Sequence, residues 1–367
     1  MSMDMYGGEH VRASAVETKF PISNGVRLLI LTQAVDSNDP TFSFFHTWIR
    51  EFAKRCEKVH VICLKEGTHA LPKNVSIHSL GKEKGKSRIK YVARLFRYAQ
   101  GLHSEYDVVF VHQNQEYILL AGFLWLAMRK KIYFWRNHYA GNVLTDIAAL
   151  FCTRVFCTSR FSYTARYKKT VIMPVGVDTE LFREIGGVGR RAHSILSLGR
   201  IAPSKRLEVL IDACGILKKN SVPFSLNIYG DALPSDSGYF ALLKQKVHEH
   251  NCTDSVTFWS GVPNVETVAL YNSHEYFVNV AGSGMLDKTI FEAMACGALP
   301  VTSNKNLRGE IDSKLMVTAH AQVLAERLRE LFSVPEEEKA RMRAENHGYV
   351  GRHSLSVLLS TLVKHIS

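Results

Sequence analysis

Two cations stand close together in the segment SILSLGRIAPSKRLEVLIDA, where a predicted strand is followed by a predicted helix. Arg200 comes directly after the strand, and Lys205 is expected in the first turn of the helix. Fixed cations beside the free backbone N–H groups of a helix start form a site suited to a diphosphate. The alternative is that both side chains are solvated loop charges, and the pair alone does not decide between the two interpretations.

An acidic residue inside an apolar helix is the second candidate. The segment AGSGMLDKTIFEAMACGALPVTSN begins with a glycine-rich turn, which allows the backbone to approach a ligand closely. The helix that follows directs its N-terminal amides and the positive end of its dipole toward the same place. Glu292 lies about one and a half turns into this helix, where its carboxylate could accept both hydroxyl groups of a ribose. Its spacing from Lys288 equally fits an ion pair on the helix surface.

The elements that must position these residues follow an alternating pattern. Short apolar runs such as RLLILT, VHVICL and DVVFVH are separated by helical patterns, which is typical of a parallel sheet covered on both faces. The alternation restarts after a glycine-rich charged segment, Arg183–His193, where we place the linker. We predict an α/β protein with two Rossmann-like doubly wound domains, residues 24–184 and 185–352, that face a central cleft. The C-terminal helix, 353–367, is expected to complete the first domain, and residues 1–23 to form a disordered leader.

Composition narrows the class of partner. The chain has 367 residues, of which 46% are hydrophobic and 22% charged, as in globular proteins with ordinary cores. Its formal net charge of +12 favours anionic partners such as nucleotides, phospholipid surfaces or nucleic acid. Nucleic acid is disfavoured because no recognised binding motif occurs, and a dehydrogenase is disfavoured because no GxGxxG follows the first strand.

Cysteine usage and apolar runs indicate the compartment. The seven cysteines form no CxxC pair and lie in apolar patterns, which is typical of reduced core thiols in a cytosolic protein. The N-terminal segment has no apolar run of the kind found in signal peptides. The longest apolar run, YILLAGFLWLAM, is shorter than the roughly 20 residues that a membrane-spanning helix needs. We therefore expect a cytoplasmic protein.

A basic segment, Gly81–Gln100, further suggests that the protein binds peripherally to a membrane. Its seven Lys and Arg residues accompany apolar residues at helical spacing, a pattern that suits an anionic membrane surface on the inner face and a lipid-linked acceptor. The alternative is an ordinary surface helix with its apolar face on the sheet. The apolar positions are Ile89, Val92, Leu95, Phe96 and Ala99.

Five motifs in order resemble the retaining GT-B glycosyltransferases of family 4. They are PVGVDTELF, LGRIAPSKRLEVLIDA, FSLNIYGD, VTFWSGVPN and FEAMACGALPVTSN, and the first strand, loop and helix are also similar to those of the family. The resemblance extends from Arg27 to the C-terminus. It implies transfer of a sugar from a UDP- or GDP-linked donor to a glycan or lipid-linked acceptor with retention of configuration, in cell-surface polysaccharide or glycan synthesis. The alternative is a non-catalytic nucleotide-sugar or glycan binding module.

The resemblance assigns roles to the residues that bind the donor. Arg200 and Lys205 match the pair that neutralises the donor diphosphate, and Glu292 matches the glutamate that holds the ribose. Gly284 stands where the family's E-x7-E signature has its first glutamate, which contacts the donor sugar. Either Asp287 replaces that acid from a shifted position, backbone amides hold the sugar, or the donor sugar differs; Asp287 could also be a simple carboxylate at a helix N-terminus. The implied donor-binding residues are Gly199, Arg200, Lys205, Gly230, Val262, Gly284, Met285, Leu286, Asp287 and Glu292.

The resemblance also suggests residues in the first domain. His138, at the end of the fifth predicted strand, is expected to contact the donor sugar or the anomeric region and to act with the two cations in catalysis. Asp39 lies in a loop that meets phosphate and acceptor in the family, although it could equally cap the following helix. Two interpretations are open for His112 and Asn114: they either form a turn at the end of the fourth predicted strand or line the acceptor side. The implied chemistry is front-face displacement without a cofactor, and the absence of a DxD motif and of zinc spacing predicts independence from metal ions.

Overall fold

Apolar strands that are buried on both faces form the first sheet. The computed structural model describes residues 25–39, 42–282 and 284–367. In the first strand Leu28–Leu31 are fully buried, as residues of a parallel sheet with helices on both faces must be. The strands of this sheet are β1 (Arg27–Val35), β2 (Lys58–Glu66), β3 (Val75–Ser79), β4 (Val108–His112), β5 (Lys131–Trp135), β6 (Arg154–Cys157) and β7 (Thr170–Ile172). They are parallel and lie in the order β3-β2-β1-β4-β5-β6-β7.

Helices cover the first sheet on both sides. They are α1 (Ser43–Ala53), α2 (Arg88–Gly101), α3 (Glu116–Ala127) and α4 (Val143–Phe151). One hydrophobic cluster packs α1 against the sheet, and a second cluster packs α2, α3 and α4 against the opposite face. The buried side chains of the two clusters alternate along β1, which is why this strand reads as an unbroken apolar run.

The second sheet repeats this plan with five strands. They are β8 (Arg191–Leu198), β9 (Ser225–Tyr229), β10 (Val256–Trp259), β11 (His274–Asn279) and β12 (Leu299–Thr302), in the order β10-β9-β8-β11-β12. The helices of this domain are α5 (Leu207–Lys219), α6 (Ser237–Glu249), α7 (Asn264–Ser273), α8 (Lys288–Ala295), α9 (Ala321–Phe332) and α10 (Glu336–Gly351). The strands are again parallel.

Both sheets change direction at their first strand. β1 lies between β2 and β4, and β8 lies between β9 and β11, so that successive crossovers run outward on either side of each of these strands. The crevice at such a switch point, outside the carboxyl ends of the strands, is where ligands bind in doubly wound sheets. The two doubly wound domains confirm the predicted fold class.

The chain crosses between the domains earlier than predicted and crosses back near its end. Val177 and Phe182 already pack in the core of the second domain, and β8 begins at Arg191, inside the predicted linker Arg183–His193. These two apolar side chains are buried, so the segment before the glycine-rich stretch is part of the second core. The last helix, α11 (Leu355–Ile366), buries its apolar face in the core of the first domain against α1. The predicted leader, 1–23, lies outside the described residues.

Candidate functional site

A cavity of about 960 Å³ separates the carboxyl ends of the two sheets. The first domain contributes Ser37–Asp39 after β1 and the first residues of α1, including Phe44. The second domain contributes Leu198–Arg200 at the end of β8, Tyr229–Asp231 at the end of β9 and Gly261–Val265 after β10. Segments from both switch points therefore face one another across the cavity, as the sequence predicted.

Two glycines in backbone conformations that other residues rarely adopt form part of the wall of this cavity. Gly199 and Gly230 have φ angles of +130° and +152°, which L side chains rarely adopt. A Cβ atom on Gly230 would lie 2.0 Å from the Gly199 carbonyl oxygen. The ends of β8 and β9 are thus in direct backbone contact, and backbone rather than side chain is presented to a ligand at this point.

Arg200 lies beside these glycines and places a cation on the cavity. Its side chain is exposed and lines the cavity. In the described part of the chain the Arg200 guanidinium has no ion-pair or hydrogen-bond partner. Its charge is therefore available to an anionic ligand in the cavity, which is the arrangement that the segment SILSLGR predicted.

Lys205 is close to Arg200 but already has a partner. Both residues line a small recess at the edge of the cavity. The Lys205 ammonium lies 2.5 Å from the Asp287 carboxylate, although the two residues are 82 positions apart. The prediction that Lys205 lies in the first turn of α5 is wrong. It ends a short 3-10 turn, Pro203–Lys205, and α5 begins only at Leu207 because Arg206 adopts a left-handed conformation with φ +54°.

Asp287 caps the N-terminus of α8 with one carboxylate oxygen and binds Lys205 with the other. Its Oδ1 accepts hydrogen bonds from the backbone N–H and the hydroxyl of Thr289, and its Oδ2 accepts one from Asn279. Burial alone would raise the pKa of Asp287, but the Lys205 charge and these hydrogen bonds outweigh it and hold the pKa below its usual value. The carboxylate is therefore charged, in the helix-N-terminal role that the sequence left open.

Glu292 occupies a more apolar place on the same helix. It is 8% exposed, and its Oε2 accepts a hydrogen bond of 3.2 Å from the Tyr271 hydroxyl. Burial raises the pKa of Glu292 to about 7, against the opposing influence of the Lys288 charge. The residue faces a second recess, which shares Phe44 and Leu181 with the main cavity. A hydroxyl-bearing ligand that extends from the cavity into this recess would meet the carboxylate.

Lys288 joins the two domains rather than pairing directly with Glu292. Its ammonium lies 4.4 Å from the centre of the Phe44 ring and 5.6 Å from that of Trp48, both on α1. Burial lowers the pKa of Lys288 to about 8. No direct ion pair joins Lys288 to Glu292 among the described residues, so the predicted surface pair is replaced by a buried interaction at longer range.

The turn before α8 is tied to the first domain through a backbone carbonyl. Gly284 has φ +68°, and its oxygen accepts hydrogen bonds from Asn306 at 2.5 Å and from Ser159 of the first domain at 3.1 Å. The carbonyl of Met285 is held by Asn304. Leu286 is half-buried beside them. At the position of the missing glutamate the chain therefore makes an interdomain contact that depends on glycine conformation.

The first-domain candidates are less closely grouped than the sequence suggested. Asp39 lines the cavity, and its Oδ1 accepts a hydrogen bond from the Phe42 N–H just before α1, so it also has the helix-start role that the sequence allowed. His138 is exposed, and its Nδ1 lies 3.0 Å from the backbone nitrogen of Ala140. It is not among the residues that line the main cavity or its two described recesses.

His112 and Asn114 lie behind the cavity wall. His112 is 1% exposed and stacks on Phe45 at 4.1 Å between ring centres, and burial lowers its pKa to about 3. Neither residue lines the main cavity or the described recesses, and Asn114 accepts a hydrogen bond from Gln33. A neutral imidazole inside an aromatic cluster supports packing, so the expected exposure to an acceptor is not found.

Several residues of the site were not predicted from the sequence. Tyr271 donates a hydrogen bond to Glu292, and Ser159 fixes the Gly284 turn from the other domain. Trp259 stacks on Tyr229 at 5.7 Å beside the cavity and is exposed. These residues lie on separate elements, so local spacing holds no signal for them, except that Tyr229 and Trp259 end the strands β9 and β10.

Solved structures show the same two-domain arrangement. HepE from Anabaena, determined in complex with UDP and glucose, aligns with a TM-score of 0.71 over 93% of this chain and 98% of its own, at 16% identity. A glycosyltransferase from Rickettsia africae aligns with a TM-score of 0.72 over 94% and 99% of the two chains, at 14% identity. Sucrose-phosphate synthase from Thermosynechococcus elongatus aligns with a TM-score of 0.67 over 93% and 99%, at 15% identity. The fold and its cleft define a GT-B protein.

Family models match both domains. Residues 178–348 match the family described as glycosyl transferases group 1, and residues 37–135 match the family described as glycosyl transferase 4-like. The chain belongs to the GT-B glycosyltransferases of family 4. No curated protein sequence matches it with significance.

Two further observations concern metals and membranes. The described residues contain no group of three or more His, Cys, Asp or Glu side chains that could hold a metal ion. None of the helices in the described residues is both long and apolar enough to cross a membrane. The seven cysteines are all buried and free, as predicted.

Proposed function

We propose that this glycosyltransferase moves a sugar from a UDP- or GDP-linked donor to a glycan or lipid-linked acceptor, with retention of configuration and without a metal ion. The observation that carries the proposal is the Arg200 guanidinium, which has no partner among the described residues and lines a cavity formed by both domains. Beside it, Gly199 and Gly230 also line the cavity. A cation beside glycine backbone is suited to a bound diphosphate.

The leaving diphosphate would interact with two cationic side chains. It would bind Arg200 directly and compete with Asp287 for Lys205. The side chains of Lys205 and Asp287 are 27% and 22% exposed, so the pair is largely shielded from solvent, and the diphosphate must replace the attraction that Lys205 gives up. Negative charge grows on the leaving oxygen as the bond to the sugar breaks, and cations fixed at that point stabilise the transition state more than the bound donor.

The ribose would be held in the recess of Glu292. An ionised carboxylate accepts hydrogen bonds from both ribose hydroxyls, and such charge-assisted bonds are stronger than neutral ones. The nucleotide base would lie near Tyr229–Asp231 and Val262, which line the main cavity. In this proposal one nucleotide therefore contacts three strand ends and one helix of the second domain.

The acceptor would enter from the first domain. Ser37–Asp39 and His46 line the opposite wall of the cavity and present polar groups to it. In front-face displacement the acceptor hydroxyl attacks on the side from which the diphosphate leaves, so both substrates must share one cavity. The main contribution of the protein would be to position them and to exclude water when the domains close.

One observation favours a second candidate, a non-catalytic nucleotide-sugar binding module. Gly284 supplies no carboxylate at the position where the E-x7-E signature has its first glutamate. The carboxylate of Asp287 is already bound to Lys205. A chain that bound the nucleotide through Arg200 and Glu292 without activating the sugar would fit these facts as well.

Donor binding and turnover distinguish the two candidates. Thermal shifts with UDP, GDP, ADP and CMP identify the nucleotide, since a ligand that binds only the folded state raises its apparent stability. Release of nucleotide from a panel of the corresponding nucleotide sugars then tests catalysis. Arg200→Ala and Glu292→Ala should abolish release, whereas Arg329→Ala, at an exposed site on α9, should not. Binding without turnover would support the module, and absence of nucleotide binding would refute both candidates.

A further inference from the structure

The outer surface of α3 is apolar where a soluble helix is usually polar. Its inner residues Ile118 and Trp125 are fully buried against the sheet. On the outside Leu120, Phe123 and Leu126 are 42%, 78% and 48% exposed. Glu116 at its start is the single charged residue of this helix. Exposed side chains of this size in one row are unfavourable in water unless another surface covers them.

The neighbouring helix α4 continues this apolar surface. The two helices pack closely. The ring of Phe151, the last residue of α4, would lie 3.0 Å from a Cβ atom placed on Gly122 of α3. The outward residues of α4 are Val143, Leu144, Ile147 and Leu150, of which the first and the last are 69% and 78% exposed. We name these residues together with Leu120, Phe123 and Leu126 the α3–α4 face.

The acidic residue of α4 does not interrupt the face with a free charge. The carboxylate of Asp146 accepts hydrogen bonds from the hydroxyls of Tyr163 and Tyr167 and pairs with Arg166 at 2.6 Å. These partners lie on the chain after β6, so the carboxylate is directed along the protein surface. The negative charge is therefore compensated within the first domain.

A cluster of cations lies beside the face on α2, which packs next to α3 on the same side of the sheet. The predicted amphipathic pattern is only partly realised in α2. Leu95 and Ala99 are buried, but Ile89 is 83% exposed and Phe96 38%. Exposed cations surround these two residues, and we call them the basic cluster: Lys82, Lys84, Lys86, Arg88, Lys90 and Arg97.

We propose that the α3–α4 face and the basic cluster together bind the surface of an anionic lipid bilayer. Apolar side chains beside Lys and Arg are the features by which helices lie in a membrane interface, the apolar groups entering the acyl boundary and the cations contacting headgroup phosphates. Charge complementarity favours lipid over a second copy of this chain, because a symmetric pairing through this surface would bring like-charged clusters toward each other.

The position of the face connects it with the cleft. α4 begins directly after the loop that follows the carboxyl end of β5, so Val143 lies at the same edge of the sheet as the cavity. A bilayer on the α3–α4 face would therefore border the entrance on the first-domain side. The consequence that a lipid-linked acceptor enters there rests on the proposed function, whereas lipid binding itself does not.

Sedimentation with vesicles tests the proposal on the full chain. Wild-type protein should bind phosphatidylcholine vesicles that contain phosphatidylglycerol, and binding should weaken with added salt and without the anionic lipid. Phe123→Ser with Leu150→Ser should reduce partitioning at least ~10-fold, since two large apolar side chains no longer enter the interface. Lys86→Gln with Lys90→Gln should reduce it roughly 5-fold for each charge removed.

Controls separate this proposal from misfolding and from the transferase hypothesis. Leu242→Ser removes an exposed leucine of α6 in the other domain and should leave partitioning unchanged. Unaltered thermal unfolding and UDP binding in solution should show that the variants are folded. Arg200→Ala should lose UDP but retain vesicle binding. Equal sedimentation of wild type and the Phe123→Ser/Leu150→Ser variant with vesicles would overturn the proposal. It would also be overturned if the wild type formed a dimer and did not bind vesicles, and if the same two substitutions dissociated that dimer.

Discussion

Two carboxylates on one short helix differ in almost every electrostatic respect. Asp287 caps α8 and has a cation and three hydrogen-bond donors, so its pKa lies below the usual value. Glu292 lies five residues further along the chain and accepts a hydrogen bond from Tyr271. Burial raises its pKa to about 7. The difference shows that burial and neighbouring groups, rather than residue type, decide which acid is permanently charged.

The difference also suggests a division of roles. A carboxylate that is already satisfied positions Lys205 and competes with a ligand for it. A buried carboxylate with unused acceptor capacity gains from a ligand that supplies hydroxyl groups. Asp287 is therefore expected to restrain nucleotide binding, and Glu292 to promote it.

The largest effect is expected from removal of the buried acid. Glu292→Ala should weaken UDP or GDP binding roughly 100-fold, because two charge-assisted hydrogen bonds to ribose are lost. Isothermal titration calorimetry measures the change. Glu337→Ala, which removes an exposed carboxylate from α10, is the matched control and should bind as the wild type does. An unchanged affinity in Glu292→Ala would place the ribose elsewhere.

The raised pKa predicts the next effect. Because the ionised form of Glu292 accepts the ribose hydroxyls, nucleotide affinity should increase as pH rises through about 7. Between about pH 6 and about pH 8 the ionised fraction changes roughly tenfold. Between these two pH values the nucleotide affinity of the wild type should therefore increase by a similar factor beyond any change seen in Glu292→Gln.

The glutamine variant is the control for this pH profile. It keeps the titration of the nucleotide phosphates and loses that of the carboxylate. Parallel profiles for the two proteins would show that ionisation of Glu292 does not contribute to binding.

A smaller effect of opposite sign is expected at the helix cap. Asp287→Asn keeps an N-cap side chain but frees Lys205, so UDP should bind about 5-fold more tightly. If Asp287 replaces the missing glutamate in holding the sugar, turnover of the nucleotide sugar should fall in the same variant. Weaker UDP binding would contradict the competition between Asp287 and the diphosphate.

The smallest effect concerns the single hydrogen bond to Glu292. The Tyr271 hydroxyl favours the charged carboxylate, so Tyr271→Phe should raise the pKa of Glu292 further and move the pH midpoint of nucleotide binding upward. Near neutral pH the affinity should fall about 2-fold. A pH titration of binding in this variant tests the expectation, and a midpoint that moves downward would show that another group controls the titration.

Local patterns predicted most of the fold. Unbroken apolar runs such as Leu28–Leu31 indicate strands buried on both faces, and the alternation of such strands with helices restricts the sheet to a parallel, doubly wound form. The end of a predicted strand also marked Arg200 as a candidate, since ligand sites in such sheets follow the strands, whereas Gly199 and Gly230 were implied only by the family resemblance. The domain boundary was placed too late because glycine content marks flexible chain, whereas the burial of Val177 depends on a core assembled from distant segments.

The sequence by itself determined the two-domain α/β architecture and the position of Arg200 directly after β8, because both follow from residues that are close along the chain. The tertiary structure decided which charges are paired. Lys205 meets Asp287 across 82 positions, and His112 is enclosed by aromatic rings of another element. Burial and charge pairing arise where separate elements pack together, so their electrostatic consequences exist only in the folded molecule.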